Sequence, residues 1–117
     1  MGESILKDKS FLFALHIISV YKELCNRQEY VMSKQMLRSG TSIGANIAEA
    51  ERGQSTSDFT AKMYISLKEA NETNYWIRLL KASSYLDNEE ANTLLNECDE
   101  LIRMLVATTK KTAPRVF

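Results

Sequence analysis

Six side chains in the middle of this sequence have the types and spacing to do chemistry: Arg38, Ser42 and Glu49 on one segment, Lys62, Glu69 and Glu72 on the next. Carboxylates three residues apart, with a guanidinium and an ammonium to pair them, could serve acid–base catalysis, a metal, or an ion-paired seam between helices. Acid–base work needs a second positioned group, and none is signposted. A carboxylate-bridged di-iron centre needs Glu from two helices and a Glu-x-x-His motif from each of two others. The only histidine is His16, and three residues before it stands Phe13, so that centre is excluded. His16 shares a mostly polar row with Leu12, Ser19 and Glu23 and is read as solvated or facing a partner.

Other chemistries fare no better. Cys25 and Cys98 lack CxxC spacing and fall on apolar rows, so buried, reduced thiols are expected rather than ligands or nucleophiles. No Ser or Thr sits in an elbow or triad context. The run RSGTSIGANIAEAERG over residues 38–53 is rich in small residues, but no Gly-Lys-Ser/Thr follows its glycines and no strand precedes them, so a phosphate-binding loop is excluded. No catalytic residue, metal or cofactor is assigned, and the chain is read as not an enzyme.

The elements that would position these residues are helices. The chain has 117 residues, one Pro and four Gly, a composition that favours helix throughout a single domain. Phe13, Ile17, Val20 and Leu24 keep a four-three rhythm, as do Met36, Gly40, Ile43, Ile47 and Ala50 across the small-residue run. Met63, Ser66, Ala70, Thr73, Ile77 and Leu80 repeat it, and so do Ala91, Leu94, Cys98, Leu101 and Leu105. Helices are predicted over roughly 9–25, 30–53, 57–82 and 88–110, with residues 112–117 as a fraying tail. Gly53 is the expected C-cap of the second helix, Ser55 or Ser57 the N-cap of the third, and Asp87 with Glu90 a capping box. Short connections make neighbours antiparallel, hence an all-α, up-down-up-down four-helix bundle.

Folding the second and third helices back around a turn at residues 55 and 56 sets facing residue numbers to sum to about 111. Glu49 then meets Lys62, Ser42 meets Glu69, and Arg38 meets Glu72. A polar inter-helix seam follows, whose effect is register more than net stability. Gly40, Gly44 and Ala48 remove bulk so that this helix lies close to its neighbour, taken to be the third.

Charge and surface bound the partners. Fifteen basic and fifteen acidic residues cancel, which excludes a globally basic nucleic-acid binder but not a local patch. One end of the bundle would gather Lys7, Lys9, Arg52, Lys110, Lys111 and Arg115, candidate nucleic-acid contacts, or for Lys110 and Lys111 simply complements to a helix C-terminus. No apolar run spans a membrane and no secretion signal is evident, so the cytoplasm is expected. Helices one and three carry apolar rows on more than one side, and Tyr64, Tyr75 and Trp76 add aromatic bulk of interface type. A homo-oligomer is expected; a wide-cored monomer is the alternative.

The runs SKQMLRSGTSIGANIAEA and SDFTAKMYISLKEANETNYWIRLLKASSYL closely resemble the four-helix-bundle proteins related to those encoded in bacterial 23S rRNA intervening sequences. Arg38-Ser39, Ser42-Ile43, Asn46-Ile47, Asp58-Phe59, Lys68-Glu69-Ala70, Glu72-Thr73 and Tyr75-Trp76 carry the likeness. Position 44, a proline in many relatives, is Gly44 here. The resemblance implies a homopentamer of bundles and no catalytic residues. A similar bundle is the accessory variability protein of diversity-generating retroelements, which partners a reverse transcriptase and nucleic acid. By resemblance the partner is RNA or an RNA-handling protein; the alternative is a purely structural, protein-binding oligomer.

Overall fold

The computed structural model describes residues 2–112, with side chains from Ile5 onward. Four helices make up this span: α1 (Gly2–Asn26), α2 (Met32–Glu51), α3 (Thr56–Ala82) and α4 (Asn88–Thr112). The first begins seven residues, about two turns, before the range expected from periodicity, where the buried Leu6 prolongs its core row, and the last ends two residues beyond its expected range.

The small-residue run is helix throughout. Met36, Gly40, Ile43, Ile47 and Ala50 are all buried in α2, as the unbroken rhythm predicts. They meet Phe13, Ile17, Val20 and Leu24 of α1, Met63, Ala70, Ile77 and Leu80 of α3, and Leu94, Cys98, Leu101 and Leu105 of α4 in one core. Each helix packs on two others, in the pairs α1–α2, α2–α3, α3–α4 and α1–α4. Contacting residues run against each other in number: Lys7 reaches Glu51, Lys62 reaches Glu49, and Arg38 reaches Glu72.

The turns use different chemistry from that expected at one point. Helices α1 and α3 end on residues with left-handed backbone, Gln28 (φ 65°) and Ser84 (φ 68°). In each case the next amide bonds five residues back, Glu29 N to Leu24 O and Tyr85 N to Leu80 O, both at 2.9 Å, which closes a Schellman motif. Gly53 does not play this part, since no glycine among the described residues has positive φ. It is needed for space instead: a Cβ there would lie 3.1 Å from the Ala50 carbonyl and 3.3 Å from Asp58 Cβ.

Ser55 caps α3 through a 3.1 Å bond from the Asp58 amide. Asp87 caps α4 at 2.8 Å from the Glu90 amide, but the Glu90 side chain does not complete the box and is drawn to α1. At the start of α2 the buried Glu29 carboxylate accepts the amides of Val31, Met32 and Ser33 at 2.6–3.1 Å. This satisfies donors that a helix N-terminus otherwise leaves orphaned.

Candidate functional site

The glycine stripe of α2 faces α1, not α3. A Cβ on Gly40 would come within 3.0 Å of Ile17, and one on Gly44 within 3.2 Å of Ser10 Oγ. Close approach between α2 and α3 comes from hydroxyl residues: Ser66 and Thr73, which the sequence rhythm marks only as core, and Ser39, which stands outside the rhythm read for α2. Ser66 Oγ donates to the Ile43 carbonyl across the interface at 2.9 Å. The Thr73 and Ser39 hydroxyls lie 2.8 Å apart, and Thr73 also bonds the Glu69 carbonyl at 2.8 Å. A hydroxyl has one proton, so Thr73 donates to that carbonyl and accepts from Ser39, or the reverse. All three residues are buried.

Over this buried layer lies the polar seam. The Arg38 guanidinium bonds Glu72 and reaches Glu69 at 3.3 Å, while Lys62 Nζ sits 2.7 Å from Glu49. The expected Ser42–Glu69 contact is corrected: Ser42 Oγ turns back to the Arg38 carbonyl at 2.6 Å. A serine on a helix satisfies its short side chain locally, and only the longer arginine spans the gap to both glutamates. Glu72 also accepts the Trp76 indole N–H at 3.1 Å. The Arg38 bond, then the Trp76 bond, hold the Glu72 carboxyl below its ordinary pKa against the opposing effect of burial. The same Glu72 bond raises Arg38. Glu72 is thereby set as a charged acceptor, away from the near-neutral range that suits a proton donor.

His16, read from sequence as solvated or facing a partner, is held between two carboxylates of α4. Its Nδ1 is 2.9 Å from Glu97 and its Nε2 3.0 Å from Glu90. Burial pulls its pKa down, but the bonds to Glu97 and Glu90 outweigh that and raise it above 6.5. The two glutamates occupy opposite ring nitrogens, so the three side chains do not converge on one point where a cation could sit. The available signal was Glu90 and Glu97 standing seven residues apart, on one helical face. Cys98 is buried and donates to the Ala70 carbonyl at 3.3 Å, and loss of solvent pushes its thiol up to about 12. A thiolate nucleophile is disfavoured there.

The largest group of exposed apolar side chains among the described residues lies on α1. Phe11 and Leu12 are 65% exposed and Leu15 50% exposed, although the inner row of the same helix is fully buried. Beside them a groove of about 750 Å³ runs between α1 and α2, with Phe11, Leu15 and Ile18 on one wall and Gly44, Ala45 and Ala48 on the other. Tyr64 and Tyr75 stand exposed on α3. Trp76 is half-buried, edge-on to Tyr75 with ring centroids 5.3 Å apart.

The cations expected at one end divide into two groups. Lys7 is paired with Glu51 at 3.5 Å and Lys9 with Glu100 at 3.3 Å. Arg52, Lys110 and Lys111 are exposed and enter no ion pair among the described residues. Arg115 and most of the predicted tail lie outside the described residues. Among the described residues no helix is long and apolar enough to cross a membrane.

A family model described as 23S rRNA-intervening sequence protein matches residues 3–107. No curated protein matches the chain. A crystal structure of a protein of unknown function from the S23 ribosomal protein family of Bacteroides thetaiotaomicron is similar over 94% of this chain and 99% of its own, at 50% identity and a TM-score of 0.92.

Proposed function

The chain belongs to the 23S rRNA-intervening sequence protein family, and from that premise we propose that it is a non-enzymatic assembly module. In this reading it is a single-domain, up-down-up-down bundle that associates into a cyclic homo-oligomer in the cytoplasm, a pentamer by family resemblance. The observation that carries the proposal is the outer face of α1, where Phe11, Leu12 and Leu15 stay in contact with water beside an apolar groove. A helix that is apolar on its outer as well as its inner face is one that another surface covers. Tyr64 and Tyr75 on α3 supply a second exposed face, and a ring needs two faces per copy.

Light scattering on the purified protein at micromolar concentration tests this reading. Wild type is expected at a multiple of the single-chain mass, and Leu15→Glu at the mass of one chain with unchanged helical content. A wild-type mass of one chain overturns the proposal. A second reading, contact with RNA, is favoured by the exposed cations Arg52, Lys110 and Lys111 at one end of the bundle, which enter no ion pair among the described residues and which a ring would repeat around a rim. Such binding is salt-sensitive and largely sequence-independent. A filter-binding titration with structured RNA across a salt series decides it: no retention at low salt leaves the purely structural oligomer.

A further inference from the structure

The His16 triad is fully bonded only while it holds one proton more than its partners supply. Carboxylates accept and do not donate, and a neutral imidazole carries a single N–H. Yet both ring nitrogens of His16 lie within 3.0 Å of a glutamate oxygen. With both bonds made, the ring is an imidazolium between two carboxylates. We infer that His16, clamped between Glu90 and Glu97, is a proton-dependent latch that fastens α1 to α4. Charged, it bridges two turns of α4, about 10 Å along that helix. Neutral, it must release one glutamate, because a ring lone pair would then face a carboxylate.

Three features make this flank the place where such a latch matters. A cleft of about 180 Å³ opens between α1 and α4 beside the triad, bordered by Lys9, Phe13, Glu97 and Leu101. Glu90 forgoes the reciprocal half of its capping box to reach His16. The only other ion pair on this flank among the described residues, Lys9–Glu100, is largely exposed and so contributes little. The surrounding charges favour the proton. Glu90, Glu97 and Glu100 face α1 from α4, with Asp87 at the start of that helix, and Glu23 shares the row of His16. Against these stand Lys9 and, just past the far end of the same row of α1, Arg27, which is held by the Ser84 and Tyr85 carbonyls, while on the opposite flank Glu51 of α2 is taken by Lys7.

Because folding raises the His16 pKa above 6.5, the latch contributes its full stability below that pH and loses it as pH rises through the folded-state value. The inference goes beyond the assembly reading and is tested on a different signal, although Leu12 of the proposed interface also borders this cleft. Ring-nitrogen NMR should show His16 titrating above pH 6.5. Across that titration, hydrogen-exchange protection factors of α1 amides should fall relative to those of α2 and α3, by up to about tenfold for each unit of upward shift. His16→Gln should abolish that pH-dependent fall, and Glu97→Gln should lower the His16 midpoint. A midpoint at or below 6.5 in wild type overturns the inference. So does a His16→Gln protein with the wild-type pH profile; should that variant not fold, the wild-type and Glu97→Gln midpoints decide alone.

Discussion

The α2–α3 and α1–α4 flanks of this bundle are joined by opposite means. Between α2 and α3, Ser39, Ser66 and Thr73 are small enough for the backbones to approach, and a serine hydroxyl reaches a carbonyl of the facing helix. Between α1 and α4, long side chains span the gap: Lys9 to Glu100, and His16 to Glu90 and Glu97. The first join is steric and indifferent to pH near neutrality. The second is ionic, partly solvated and dependent on one proton. The ion pairs over α2–α3, anchored on an Arg38 side chain that is 49% exposed, then act as a register mark on an interface that is already closed.

The sharpest way to break this comparison is to enlarge the hydroxyl layer. Ser66→Leu forces methyl groups against the Ile43 carbonyl and is expected to destabilise by about 3 kcal/mol, the upper part of the overpacking range. A denaturant midpoint within error of wild type would show that α2 and α3 are not in close register. Thr73→Val keeps shape but leaves the buried Ser39 hydroxyl with only a 3.5 Å approach to the Met36 carbonyl. A loss of about 1–2 kcal/mol is expected, the cost of an unsatisfied buried polar group, read as a lower midpoint with an unchanged m-value. The smallest effect belongs to the seam. Arg38→Gln should cost under about 1 kcal/mol, since exposed pairs are screened and entropically expensive, and the difference from wild type should shrink further in high salt. An Arg38→Gln loss larger than that of Thr73→Val would invert the account of which layer holds this flank.

Much of the fold was legible because burial follows a period. The rhythm through Met36, Gly40, Ile43, Ile47 and Ala50 places one face inward whatever the residue size, and all five are buried. The antiparallel arithmetic placed Arg38 near Glu72 and Glu49 near Lys62, since reach across a turn depends on residue count. It could not say that Ser42 would bond its own helix, because residue count does not tell whether a short side chain reaches across or turns back to its own backbone. Nor could it assign the glycines to α1, because a small residue on one helix does not name the neighbour it admits. His16 and Glu29 were missed for a related reason: each is polar in sequence and becomes a bonded junction only through residues supplied by the fold, carboxylates of α4 74 and 81 residues further along the chain in one case and the bend before α2 in the other.

By itself, then, the order of residues determined the helices, their inward faces and the approximate pairing of consecutive segments, all consequences of local periodicity and chain connectivity. Only the tertiary structure decided which neighbour each small residue serves, which carboxylates hold His16, and that the outer face of α1 remains uncovered in a single chain. Those outcomes depend on contacts between segments far apart in sequence, for which periodicity carries no information.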